Sequence, residues 1–148
     1  EFAVQAQARF GLGEIVSIKT SAPRILEKND YPKGYLIELH HVLRVGDDLY
    51  LDAEGLRDMA TICDAFDIQK GEKVILETCT PEKGARFLND EEFNALLDEA
   101  GWTDISEVPD VTGIVYSNSY WKSQEQKTAD WLKSIQDRRV EEVSPFEP

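Results

Sequence analysis

The chain is poor in the residues that most surface chemistry relies on, with two cysteines, two histidines and one methionine in 148 residues. Cys63 and Cys79 are too few for a disulfide scaffold and lack the paired spacing of a zinc site. His40 and His41 are neighbours, so on a strand their rings point to opposite faces, and no third histidine completes a metal site. The sequence therefore calls for no metal and no cofactor. No apolar run approaches the ~18 residues of a membrane span, and no basic segment leading into an apolar one opens the chain. A cytoplasmic protein without membrane partners is the expectation. Gly11 and Gly13 follow a predicted helix, whereas a nucleotide fingerprint precedes one, so there is no phosphate loop. Basic side chains are scarce, 16 against 29 acidic ones, and the net charge of −13 excludes sequence-independent binding to nucleic acid. No repeat or low-complexity stretch interrupts the chain, and its longest polar connector, Lys28 to Lys33, is short. Residues 1–148 read as a single domain.

What is present is enough for a core: 41% of residues are apolar, which places the chain outside intrinsic disorder despite its charge. The charge is uneven. Residues 89–148 carry 14 acidic and 5 basic side chains, and no Lys or Arg falls between Asp90 and Lys122. A solvated helix face is the ordinary reading of such a run. Its functional reading is a docking face in which Glu91, Asp98 and Glu99 meet a basic partner.

Periodicity supplies the elements. Phe2, Ala6 and Phe10 recur at helical spacing before Gly11, predicting a buried first helix with a glycine stop. Glu14 to Thr20 reads as a strand whose Val16 and Ile18 face the core. Pro23 and Lys28 to Lys33 make a loop. Tyr35 to Val45 and Leu49 to Asp52 read as two strands of a hairpin turning at Gly46-Asp47. Leu56 to Phe66 has helical spacing, and Lys73 to Cys79 is β-rich. Asn89 with Glu92 makes a capping box for a helix ending at Gly101. Thr112 to Tyr116 reads as a short strand. Ser123 with Gln126 caps a last helix whose Trp131, Leu132 and Ile135 form an apolar stripe and whose Arg138 and Arg139 lie at its negative end. Trp102, Trp121 and Trp131 read as core or partner anchors, and Cys63 and Cys79 as buried packing. The expected class is α+β, with a mostly antiparallel sheet, an N-terminal helix and C-terminal helices.

One segment has chemical content, His40-His41-Val42-Leu43-Arg44-Val45-Gly46-Asp47-Asp48-Leu49-Tyr50-Leu51-Asp52-Ala53-Glu54-Gly55. A turn at Gly46-Asp47 sets His41 directly across from Asp52 on one sheet face, with Cβ atoms ~5 Å apart. A carboxylate there can accept the imidazole N–H and fix the tautomer, leaving the other ring nitrogen as a base. The bland counterpart is a partly buried histidine satisfied by Asp52 with no catalytic task.

His41-Val42-Leu43-x-Val45-Gly46 followed by Tyr50-x-Asp52-Ala53-x-Gly55 resembles the His and Asp strands of papain-like cysteine hydrolases, a group that includes NlpC-type peptidases and transglutaminase-like proteins. Glu1-Phe2-Ala3-Val4 resembles the start of that group's first helix, just after its cysteine. The likeness spans residues 1–55. It implies a hydrolase or acyl transferase acting on an amide or isopeptide bond, with His41 as base and Asp52 as its orienter. The departure is as informative as the match, because no cysteine precedes the first helix in this chain. Either the nucleophile lies upstream of Glu1, or the domain keeps the fold for binding, or Glu1-Phe2 is a cloning scar. The reading from another class is an acidic inhibitor or DNA-mimic effector of phage or bacterial origin, steered to its protein partner by charge.

Overall fold

The computed structural model describes residues 1–21, 36–80, 88–112, 116–134 and 140–145. Its elements run α1 (Phe2–Phe10), β1 (Glu14–Ser21), β2 (Leu36–Gly46), β3 (Leu49–Asp52), β4 (Gly55–Arg57), α2 (Met59–Ala65), β5 (Val74–Cys79), α3 (Asp90–Ala100), a 3-10 turn (Ile105–Glu107), α4 (Asn118–Ser134) and β6 (Val140–Val143). The six strands form one sheet in the order β4-β3-β2-β1-β5-β6, and every pairing is antiparallel. The α+β class expected from the sequence is the observed one. The loop at Lys28 to Lys33, the middle of Thr112 to Tyr116, and Ile135, Arg138 and Arg139 lie outside the described residues.

Both faces of the sheet are covered, so β1 buries apolar side chains on each of its two faces. Ile15 sits in a core with α1, α3, Leu43, Leu51, Trp102 and Trp121. Val16 and Ile18 sit in a second core with Val42, Tyr50 and the α2 residues Met59, Ile62 and Cys63. Val16 and Ile18 face a core as expected, and Ile15 on the opposite face meets another. A central strand buried on both faces loses the alternation that marks one solvated side. At ~25 cal/mol per Å2 of apolar surface removed from water, the two cores are the principal stabilising term.

Local signals fix the helix ends. α1 stops at Gly11, whose φ of 68° suits glycine and whose N–H bonds Gln7 O at 2.8 Å. Asn89 Oδ1 accepts the Glu92 N–H at 2.8 Å and Gly101 closes α3 in the left-handed region, as expected. Two boundaries differ from expectation. Leu56 belongs to β4, not to a helix, because Asp58 accepts the Thr61 N–H at 2.8 Å and starts α2 at Met59. Ser123 lies inside α4, which begins five residues earlier, where Ser117 Oγ accepts the Tyr120 N–H at 3.2 Å. β6 has no counterpart in the sequence reading.

Two irregularities in β2 decide what reaches what. At its far end the turn residues are Asp47 and Asp48, with Gly46 opposite Leu49 and a bulge between Arg44 and Gly46. Gly46 is kept for close approach: a Cβ there would come 2.0 Å from Tyr120 Oη, and that hydroxyl donates to Val45 O at 2.9 Å. Asp48 takes the left-handed position at φ 50°, held by its carboxylate accepting the Met59 N–H at 2.9 Å. The pairs are consequently Leu43↔Leu51 and Arg44↔Tyr50, one residue away from the register that a Gly46-Asp47 turn gives. At its near end, β2 opposes His41 to Ser17, His40 to Ile18 and Glu38 to Lys19, so Leu39 is an extra residue in a second bulge.

Candidate functional site

The register moves Asp52 away from His41. Asp52 follows Leu51 and so shares the face of Tyr50 and Val42, where His40 also lies. The observed contact is His40 Nε2 to Asp52 Oδ2 at 3.0 Å. The expected pairing of His41 with Asp52 is therefore corrected: Asp52 meets the neighbouring histidine, because a one-residue shift exchanges the faces of a strand.

Asp52 itself is buried. Its side chain is 4% exposed, Arg57 Nη2 donates to Oδ2, and the Glu54 N–H donates to Oδ1 at 2.9 Å. Burial pushes the carboxyl up, but the bonds from His40, Arg57 and the Glu54 N–H outweigh it and hold Asp52 below the ordinary carboxylate value. Because that carboxylate only accepts, His40 Nε2 carries the proton of the pair. The His40 ring lies 5.2 Å from that of Phe66, and His40, Asp52, Arg57, Thr61, Phe66 and Val111 line an open cleft of about 570 Å3.

His41 looks the other way, onto the face that α1 covers. Its ring is 42% exposed, and Nε2 lies 2.7 Å from Glu38 Oε1. Burial lowers its pKa from the ordinary 6.5, Glu38 opposes that, and the neighbouring His40 and Lys19 lower it further. Ala3 and Val4, at the amino end of α1, pack into the core on this face of the sheet. That end is anchored, since the Leu88 N–H donates to Glu1 Oε2 at 2.6 Å and Gln5 Nε2 donates to Leu88 O. Across the strand, the Ser17 hydroxyl is buried without a hydrogen-bond partner, and Lys19 pairs with Glu77 at 3.1 Å. An imidazole with a free ring nitrogen can take a proton from a nucleophile held against it.

Neither cysteine can supply that nucleophile where it stands. Cys63 is buried inside α2, its thiol pushed up to about 11 by burial, and Cys79 is buried at the end of β5. Trp102 and Trp121 are core residues, as expected. Among the described residues no group of three or more His, Cys, Asp or Glu could hold a metal ion, and no helix is long and apolar enough to cross a membrane.

On α3, Glu91, Asp98 and Glu99 are all exposed, but they are not equivalent. Asp98 is tied to Arg9 of α1 by an ion pair, which removes it from a freely presented acidic face.

Sequence reasoning missed Glu38 and Arg57. Arg57 was hidden by extending a helix back to Leu56, although Asp58 three residues before Thr61 is the pattern of a cap. Glu38 gave no signal, since three residues along a regular strand is the opposite face. Comparison with protein-family models, with curated proteins and with solved structures finds no match.

Proposed function

We propose that the domain is an acyl-transfer catalyst of the papain-like class, acting on an amide or isopeptide bond, with His41 as its general base. The observation that carries this reading is the location of His41 on the sheet face that α1 covers. A cysteine immediately before Glu1 would stand at that helix start, where the dipole and an adjacent imidazolium favour the thiolate. The thiol gives its proton to His41, the thiolate attacks the carbonyl carbon, and the imidazolium returns the proton to the departing amine. Water, deprotonated by the same imidazole, then cleaves the thioester and releases the carboxylic acid. Asp52 has no part in these steps and serves as the pin of the β2–β4 region.

The test is made on the full-length protein, by identifying the residue before Glu1 and timing its alkylation by iodoacetamide. The expected result is a cysteine that reacts faster than an unfolded thiol at pH 6, with His41→Ala lowering hydrolysis of amide substrates by 10² or more. Another residue at that position, or ordinary thiol reactivity, overturns the reading.

A second reading is supported by α3, where Leu96 is 53% exposed between Glu92 and Glu99 at helical spacing. An apolar side chain ringed by carboxylates suits a basic protein partner. Glu91→Lys with Glu99→Lys would weaken such a complex, and an affinity insensitive to both the charge reversal and salt would sink it.

A further inference from the structure

We infer that Glu38 is the positioning residue of His41, taking the role that the strand pattern gives to Asp52. The inference rests on the acyl-transfer reading above and names the group that orients its base.

The argument begins with the bulge. Along a regular strand Glu38 and His41 point to opposite faces, and no contact between them is possible. The extra residue Leu39 resets the alternation, so that Glu38 opposes Lys19, His41 opposes Ser17, and both stand on the α1 face. The result is the 2.7 Å contact between Glu38 Oε1 and His41 Nε2. A carboxylate has no hydrogen to give, so this ion-pair contact favours the hydrogen on Nε2. The second ring nitrogen, Nδ1, is left with its lone pair, the form a general base needs. Every charged group acting on His41 fits this assignment. Glu38 is the one that favours the imidazolium, and His40 and Lys19 oppose it. Lys19 is itself engaged by Glu77 at 3.1 Å, which leaves Glu38 to His41.

Glu38 is 49% exposed and His41 42%, so the pair is screened by water and each side chain can be replaced without opening a core. The bulge therefore positions the base through a surface pair instead of a buried one, and a modest effect on rate is expected.

The experiment uses the full-length protein and two readouts. Long-range nitrogen–proton NMR of the imidazoles reads the tautomer and titration of His41, and the pH profile of thiol alkylation reads its coupling to the nucleophile. In the unsubstituted protein His41 should be the Nε2–H tautomer. Glu38→Gln keeps an acceptor but loses the charge, so it should retain the tautomer and shift the His41 titration downward. Glu38→Ala loses both, so the tautomers should mix and turnover should fall roughly fivefold, the scale of an exposed charged pair. If alkylation is ordinary from the outset, the acyl-transfer reading fails and the role of Glu38 with it. If alkylation is fast but neither Glu38 variant moves the tautomer, the titration or the pH profile, the assignment of Glu38 alone is overturned.

Discussion

Two adjacent histidines on one strand have opposite circumstances, and the contrast shows how burial divides labour in this fold. His40 is held by a carboxylate that is 4% exposed and shared with Arg57, in a network whose members all belong to the β2–β4 region and α2. His41 is held by a half-exposed carboxylate, on the face where α1 begins. The first histidine belongs to a network that is costly to break. The second belongs to one that is cheap to alter and open to solvent. A buried charged network stabilises a local geometry mainly by making every alternative worse, while a screened pair leaves an imidazole free to gain and lose a proton.

The contrast can be broken most forcefully at Asp52. Asp52→Ala leaves Arg57 buried without its carboxylate and should cost about 3–5 kcal/mol in urea unfolding. His41→Ala should cost under ~1 kcal/mol, and similar losses at the two positions would dissolve the distinction. Next in size is Gly55→Ala, at the exit from the hairpin that carries Asp52. Its φ is 119° and a Cβ would come 2.4 Å from Pro109 O, so a loss of roughly 2–3 kcal/mol is expected by the same measurement.

Acid sharpens the comparison by separating two pH windows. Asp52 is held below its ordinary pKa, so its stabilising share is complete above about pH 4 and is lost as pH falls through the folded-state value. His41 is also held low, so the folded state resists its protonation and stability declines as pH falls below about 6.5. Unfolding midpoints followed from pH 8 to pH 3 should show two declines. His41→Ala removes the upper one and Asp52→Asn the lower.

The smallest effects belong to the α3 surface. Charge reversal at Glu91 or Glu99 should change stability by no more than ~0.5 kcal/mol, and Asp98→Ala, which releases Arg9, by ~0.2–1 kcal/mol. Thermal melts at low and high salt would read the difference, with only the Asp98 variant losing its deficit in salt.

Much of this molecule was legible in its sequence. α1, α3 and their glycine stops followed from periodicity and caps, and Leu49–Asp52 was placed to the residue. The hairpin was foreseen but its register was not, since a Gly-Asp pair reads as a turn unless one knows that Tyr120, over seventy residues later, occupies the space beside Gly46. The bulge at Leu39 has no local mark at all. Both misplacements arise where a distant side chain or a cross-strand mismatch overrules local pattern, and together they decide which histidine faces which partner. β4 and β6 were missed for a simpler reason: they are too short, at three and four residues, to show a period.

Those two short strands have a consequence for how copies of the chain behave toward one another. They form the outer edges of the sheet, where unpaired backbone groups invite strand addition and aggregation. On β4 the Leu56 N–H is taken by Pro109 O at 2.8 Å and the Leu56 carbonyl by the Val111 N–H at 2.9 Å, so the segment after the 3-10 turn occupies that edge. On β6 the central residues are Glu141, which pairs with Arg44 at 2.8 Å, and Glu142, which sets like charge against like in an edge-to-edge approach. Among the described residues, one end of the sheet is occupied by its own chain and the other carries an unmatched carboxylate at Glu142, and both features disfavour growth into filaments through strand addition.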